Sequence, residues 1–335
     1  AFMGSDKVED LTAWLNGTQL SPTDGDNYEV LLEEGENQIT LYAEKNGSSE
    51  EITYTVTYVK QNSGDGDGEG NVEAPRVTCT LGDSGNSLET QRKSLSFQVQ
   101  ATDYHGNGLG ADNIRISCFG DSGDNITGLI WENSGDVSYH TELSQGYNTM
   151  VITVTDAEDN TTELTYSIFC TAAESGERIG TVHISVEATT VGSGILLSQD
   201  VDIYEGETAA ETVVRMLQNN GYSVDYTGNY EIGFYLARIS SESNFVTGNI
   251  PEDLRTKLEE HGFEIYDFTP NSLGDYDFTK GSGWMYQVNG VYPNYGLSDY
   301  CFQNGDTLRL RFTLAYGADI GQDMTGGSDN WGYEW

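Results

Sequence analysis

The chain has 335 residues, 54 acidic against 15 basic, and a formal net charge of −39 at pH 7. That charge repels a phosphate backbone and excludes nucleic acid as a partner. No apolar run approaches the ~20 residues of a membrane-spanning helix, and no signal peptide or wall-sorting signal is read in it. The start Ala1-Phe2-Met3-Gly4-Ser5 reads as trimmed or added sequence, so the chain is expected to be a cut ectodomain.

Acids outnumber bases everywhere, 12 to 3 before residue 61 and 25 to 8 after residue 172, so the charge belongs to the habitat and not to one site. It keeps a surface protein soluble and monomeric, with cation binding as the sharper alternative. Twenty-one Tyr, 40 Gly and only 5 Pro suit pleated surfaces joined by tight turns. The fold class expected is mainly β and multidomain, with immunoglobulin-like β-sandwiches followed by an α+β, β-grasp-like domain.

Residues 1–60 alternate in strand fashion. Leu11–Leu15 leads into an Asn16-Gly17 hairpin turn. Tyr28–Leu32 and Ile39–Ala43 read as further strands, and Asn46-Gly47 turns into Ile52–Tyr58. About four strands are expected, which makes this a small or partial immunoglobulin-like domain. Residues 61–75 read as an acidic flexible linker. Within it Asp65, Asp67 and Glu69 stand at alternate positions, a candidate Ca2+ set beside the reading as a solvated linker.

Residues 76–172 carry seven short strand patterns, at Arg76–Leu81, Leu95–Ala101, Ile114–Cys118, Gly128–Trp131, Ser138–Glu142, Thr149–Thr155 and Glu163–Phe169. That density fits an immunoglobulin-like sandwich. Its last two strands repeat those of the first domain. Gly35-Glu36-Asn37, Ile39-Thr40-Leu41 and Thr53–Val56 align with Gly146-Tyr147-Asn148, Ile152-Thr153-Val154 and Thr165–Ile168, one residue apart in the turn. With its turn Val154-Thr155-Asp156-Ala157-Glu158-Asp159-Asn160, the repeat resembles the last hairpin of bacterial immunoglobulin-like surface domains. Cys79, Cys118, Cys170 and Cys301 have no CxxC spacing, which argues against structural zinc. Cys79 and Cys170 either form a disulfide between the first and last strands or stay buried thiols.

Beyond a weaker boundary at residues 171–178 the pattern changes. Thr181–Ala188 reads as a strand. Thr208 and Glu211 form a capping box for a helix with Val213, Val214 and Leu217 on its apolar face, ended by Gly221. A second helix starts near Pro251, with Leu254 and Leu258 four apart, and closes at Gly262. Strands are expected at Gly233–Ile239, Gly283–Asn289 and Thr307–Leu314. In the hairpin Trp284, Tyr286 and Val288 share one face, Asn289-Gly290 turns, and Leu308, Leu310 and Phe312 face the core.

The run Gly283-Trp284-Met285-Tyr286-Gln287-Val288-Asn289-Gly290-Val291-Tyr292-Pro293, followed by Gly305-Asp306-Thr307, resembles the DUF4430-like domain of unknown function. That family is itself similar to the C-terminal β-domain of transcobalamin and intrinsic factor. The resemblance spans about residues 179–320, leaves 321–335 as a tail, and implies a small-ligand contact at the aromatic turn, with a corrinoid as ligand class. Tyr235–Tyr266 looks like an insertion whose Asn249-Ile250-Pro251 helix start shapes a groove rim. The candidate ligand residues are Trp284, Tyr286, Tyr292, Asn294 and Tyr295; Trp284 reads first as core, while Tyr292 and Tyr295, flanking Pro293 in a loop, are the better surface candidates. The tail's Trp331, Tyr333 and Trp335 either dock on the domain, bind a partner or stay disordered.

No GxSxG, HExxH, phosphate-cradling loop or paired-histidine spacing is present, so no enzyme is expected. The leading expectation is a binding or adhesion protein of a Gram-positive cell surface or wall, monomeric, with a glycan, protein or corrinoid partner. A small-ligand carrier and a structural spacer are the alternatives.

Overall fold

A computed structural model describes residues 2–3, 6–7, 11–22, 28, 30, 32, 35–45, 48–58, 73–120, 123–242, 249–322, 331 and 333–335. The chain is mainly β and divides into two compact units, Ala1–Val72 and Glu73–Trp335. Among the described residues no helix is long and apolar enough to cross a membrane.

In the first unit β1 (Phe2–Met3) pairs with β2 (Asp6–Lys7). Strands β3 (Leu11–Leu15), β4 (Thr18–Gln19), β5 (Gly35–Lys45) and β6 (Ser48–Tyr58) form one sheet in the order β4-β3-β5-β6. Asn16 and Gly17 have φ of 49° and 80°, as the expected tight hairpin requires. Tyr28, Val30 and Leu32 belong to no strand. The Asn46-Gly47 turn and residues 61–72, with Asp65, Asp67 and Glu69, lie outside the described residues.

The second unit opens with a two-sheet sandwich. Its strands are β7 (Arg76–Cys79), β8 (Ser87–Thr90), β9 (Ser94–Thr102), β10 (Ile114–Gly120), β11 (Gly123–Asp124), β12 (Thr127–Asn133), β13 (Asp136–Glu142), β14 (Gly146–Thr155) and β15 (Thr161–Cys170). The sheets run β11-β10-β14-β15-β8 and β12-β13-β9-β7. Alternation along β9, β13 and β14 turns Phe97, Val99, Val137 and Ile152 inward, all with 0% exposure. The seven expected strands are present; β8, which runs parallel to β15, and the two-residue β11 are additional.

The internal repeat is visible in the ladders. Asn37 pairs with Val56 and Gly35 with Tyr58; Asn148 pairs with Ile168 and Gly146 with Cys170. The four cysteines are free, so Cys79 and Cys170 follow the thiol alternative. Burial pushes the Cys79 thiol up to about 11, against opposing hydrogen bonds from its surroundings. The Cys170 thiol donates to the Arg92 carbonyl at 3.2 Å.

The C-terminal domain contains β16 (Arg178–Ala188), β17 (Gly194–Tyr204), α1 (Ala209–Asn219), β18 (Ser223–Thr227), β19 (Tyr235–Ser240), α2 (Glu252–Glu260), β20 (Ser272–Gly274), β21 (Gly283–Val288) and β22 (Thr307–Thr313). One sheet runs β17-β16-β22-β21, with its first and last strands, β16 and β22, parallel at the centre; a second runs β18-β19-β20. Thr208 caps α1 by accepting the Glu211 N–H at 3.3 Å. Val213, Val214 and Leu217 then pack with Ile184, Leu310 and Phe312. Leu254 and Leu258 bury the inner face of α2 in the same core. The β-grasp-like order thus follows from a hairpin, a crossing helix and a returning central strand.

Candidate functional site

The aromatic turn folds as a hairpin but sends its side chains in different directions. Trp284 is core: it meets Phe312 edge-on at 5.2 Å and donates its indole N–H to the Leu273 carbonyl at 2.9 Å. Asn289 and Gly290 have φ of 51° and 86°. Asn289 Nδ2 donates to Asp306 at 2.8 Å, and the Thr307 N–H returns a bond to Asn289 Oδ1 at 2.9 Å. Burial raises the Asp306 carboxyl pKa, opposed by hydrogen bonds from the Gln303 N–H, Asn289 and Tyr300.

Tyr286 and Tyr295 come together. The Tyr286 hydroxyl donates to the Tyr295 carbonyl at 2.6 Å, and Tyr295 stacks on Tyr300 with ring centres 6.1 Å apart. Burial lifts the Tyr286, Tyr295 and Tyr300 phenols, reinforced by nearby acids. Tyr292, expected at the surface, is 9% exposed. It lies on the Arg311 side of the sheet, donating to the Ile320 carbonyl at 2.7 Å and accepting from Arg311 at 3.1 Å. Its neighbour Val291, 38% exposed, takes the outward position instead. The five candidate residues therefore do not converge on one platform.

The loop after the turn meets the sandwich. Asn294 Nδ2 donates to Asp136, Ser96 Oγ to the Asp299 carbonyl at 2.7 Å, and Thr90 Oγ1 to Gln303 at 2.6 Å. Arg92, 1% exposed, donates its Nε to the Phe302 carbonyl at 2.5 Å. Ser94, Ser96 and Gln98 lie on the β9 face away from the sandwich core, and Ser138 beside them on β13 has 0% exposure. The outward residues of β9 and β13 around Ser96 and Ser138 are covered by the C-terminal domain. Burial raises the Asp136 pKa and lowers that of His140; hydrogen bonds from Gln98 and Asn294 oppose the first shift, and Glu142 and Asp299 oppose the second.

An open cleft of about 650 Å³ lies elsewhere in the C-terminal domain, lined by Asn249, Ile250, Arg255, Tyr266, Asp267 and Phe268 with Ile265 and Phe278. Its volume suits a small ligand. Phe268 and Phe278 stack at 4.4 Å and 10°. Asp277, 4% exposed, holds the turn beneath, accepting the Thr269 and Gly274 N–H groups at 2.9 and 2.8 Å and Arg238 at 2.5 Å. Tyr276 and Phe278 on either side have φ of 64° and 69°, a left-handed conformation costly for aromatic residues. Asn249 and Ile250 were legible as a groove rim. Arg255, Tyr266, Phe268 and Phe278 were not; the helical pattern around Leu254 and Leu258 places Arg255 off the apolar stripe, but nothing in it foretells a cleft.

The polar face of the central sheet carries a hydrogen-bonded trio. His183 Nδ1 meets Asp200 at 2.8 Å and Nε2 meets Ser198 at 3.0 Å. His183 and Asp200 side chains are 45% and 75% exposed, whereas a relay activates a serine where water is excluded. Among the described residues no group of three or more His, Cys, Asp or Glu side chains is arranged to hold a metal.

Residues 264–313 match a family described as a domain of unknown function, DUF4430. No curated protein matches the chain. Among solved structures, the chain is similar to the Lin-41 filamin domain at 18% identity, over 28% of this chain and 90% of that one, with a TM-score of 0.22. Domains 4 and 5 of the S-layer protein SbsC match at 15% identity, over 50% and 74%, with a TM-score of 0.21. A β-glucuronidase of Parabacteroides merdae matches at 17% identity over 47% of this chain, with a TM-score of 0.18; the match spans 21% of that enzyme.

Proposed function

We propose that the chain is a non-catalytic binding or adhesion protein of a bacterial cell surface, in which immunoglobulin-like modules carry a C-terminal ligand-binding domain. The joint at Arg92, Ser96 and Asn294 supports this reading most directly. It makes the sandwich a seat for the last domain and leaves the 249–278 cleft outside the contact. The acidic surface and the short-stranded modules suit an extracellular habitat on either a Gram-positive wall or another bacterial envelope.

The cleft favours a ligand with an anionic head and an apolar body. Arg255 offers the cation, and Phe268 with Phe278 offers a flat apolar floor. The test is a fluorescence titration of the full chain with host-type glycans, corrinoids and amphipathic carboxylates. Saturable binding that weakens about tenfold or more in Arg255→Ala and Tyr266→Ala is expected. Saturable binding unchanged in both variants would move the site away from the cleft. No saturable response to any of these probes would overturn the ligand-binding reading and leave spacing as the better account.

A further inference from the structure

Trp331 and residues 333–335 return to the polar face of the β17-β16-β22-β21 sheet, and we propose that they fill a peptide-binding groove that also accepts the same segment from a second copy of the chain. The groove is built around cations, which are scarce in this protein. Arg309 and Arg311 alternate with the inward Leu308, Leu310 and Phe312, so the period of β22 alone places both guanidinium groups on one face. Arg311 is only 2% exposed, and its Nη1 donates to Glu334 at 2.9 Å; Arg309 reaches the same carboxylate at 3.3 Å. Glu187 holds both arginines from the other side, at 2.8 and 3.4 Å.

The docked segment is held at Trp331, Glu334 and Trp335. The Trp335 main-chain oxygen accepts from Arg311 Nη2 at 2.9 Å and from Thr189 at 2.6 Å. The Trp335 indole N–H donates to Asp253 at 3.0 Å. Glu334 forms an antiparallel bridge with Ile320, and the Trp331 ring stacks on His261 at 4.7 Å. A buried guanidinium, one main-chain bridge and an aromatic shelf together describe a groove that recognises the segment chiefly through side chains.

The segment is joined to Gln322 by Asp-Met-Thr-Gly-Gly-Ser-Asp-Asn, residues 323–330. Exchange between two copies preserves every docking contact, so it costs mainly association entropy. An eight-residue tether gives the resident segment an effective concentration on the order of millimolar. The copy's own segment therefore wins at dilution, and exchange needs a crowded array such as a densely covered surface.

The experiment uses the full chain with a protease site placed within residues 325–328, so that folding occurs with the tail in place. After cleavage and dialysis, a labelled amide peptide of Trp331-Gly332-Tyr333-Glu334-Trp335 is titrated by fluorescence anisotropy. Saturable binding to the cleaved chain is expected, at least ~tenfold weaker for the Glu334→Gln peptide and for the uncleaved chain. A cleaved chain with unchanged circular dichroism that ignores the peptide, or binds the Glu334→Gln peptide equally, overturns the groove. Sedimentation of the uncleaved chain at rising concentration is expected to show a dimer that excess peptide dissolves. A monomer at every concentration, or a dimer that excess peptide leaves intact, overturns the exchange.

Discussion

Asn148 illustrates how one buried polar side chain supports a whole hairpin end. It is 1% exposed, accepts from the Ser144 N–H at 3.0 Å and Asn125 at 2.7 Å, and donates to the Ser144 and Gly146 carbonyls at 2.8 and 3.1 Å. Asn148→Ala leaves these groups buried without a partner, and a loss of about 2–4 kcal/mol is expected in urea unfolding. Asn148→Asp keeps the acceptor but removes both donations, so it should not restore stability. Glu187 gives a pH test. Burial alone would raise its carboxyl, but hydrogen bonds from Arg309 and Ser185 and the charge of Arg311 hold it below its ordinary 4.5. Its folded form therefore binds fewer protons than the unfolded chain. The contribution is full above the ordinary value and is lost as pH falls through the depressed one. The stability of the wild type should fall as pH drops below about 4.5, while Glu187→Gln should show a flatter dependence there and be about 2–4 kcal/mol less stable at neutral pH.

At the level of elements, the sequence pattern was most informative where one face meets water and the other an apolar core. β9, β14 and β22 were legible for that reason, and so were α1 from its cap and α2 from Leu254 and Leu258. β8 was not, because Leu88 is its only apolar residue and its partner is the parallel strand β15. β17 was missed because exposed Ile195 and a bulge opposite Val186 and Glu187 break its alternation. The joint could not be read at all. Ser94, Ser96 and Gln98 carry the pattern of a strand face in water, and a hydroxyl bonded to a carbonyl of another domain leaves the same sequence signature as one bonded to solvent. The aromatic turn misled in the opposite sense: a Tyr beside Pro293 reads as exposed, yet Arg311 and Ile320 draw Tyr292 inward.

For the second unit as a whole, the joint predicts shared stability. Arg92, Thr90 and Ser96 tie the sandwich to residues 299–303 by hydrogen bonds, so neither part keeps its surface intact when the other unfolds. Variants of the full chain that retain only Trp131 or only Trp284 report on the two parts separately. Their urea transitions should coincide in the wild-type background. Ser96→Arg, which places a long charged side chain in the contact, should separate them and leave each transition with a shallower denaturant dependence.

The central position of β16 and β22 bears on how the C-terminal domain withstands load. The chain enters the domain through β16 at Arg178 and leaves the sheet through β22 at Thr313, and these two strands lie side by side and parallel from His183–Thr307 to Glu187–Arg311. Tension drawn through the backbone therefore acts along the ladder. The intervening hydrogen bonds are strained together in shear and cannot open one after another as in a hairpin pulled from its ends. A domain threaded in this way resists rupture through its unfolding barrier, a property that matters to a molecule held at one end and pulled at the other.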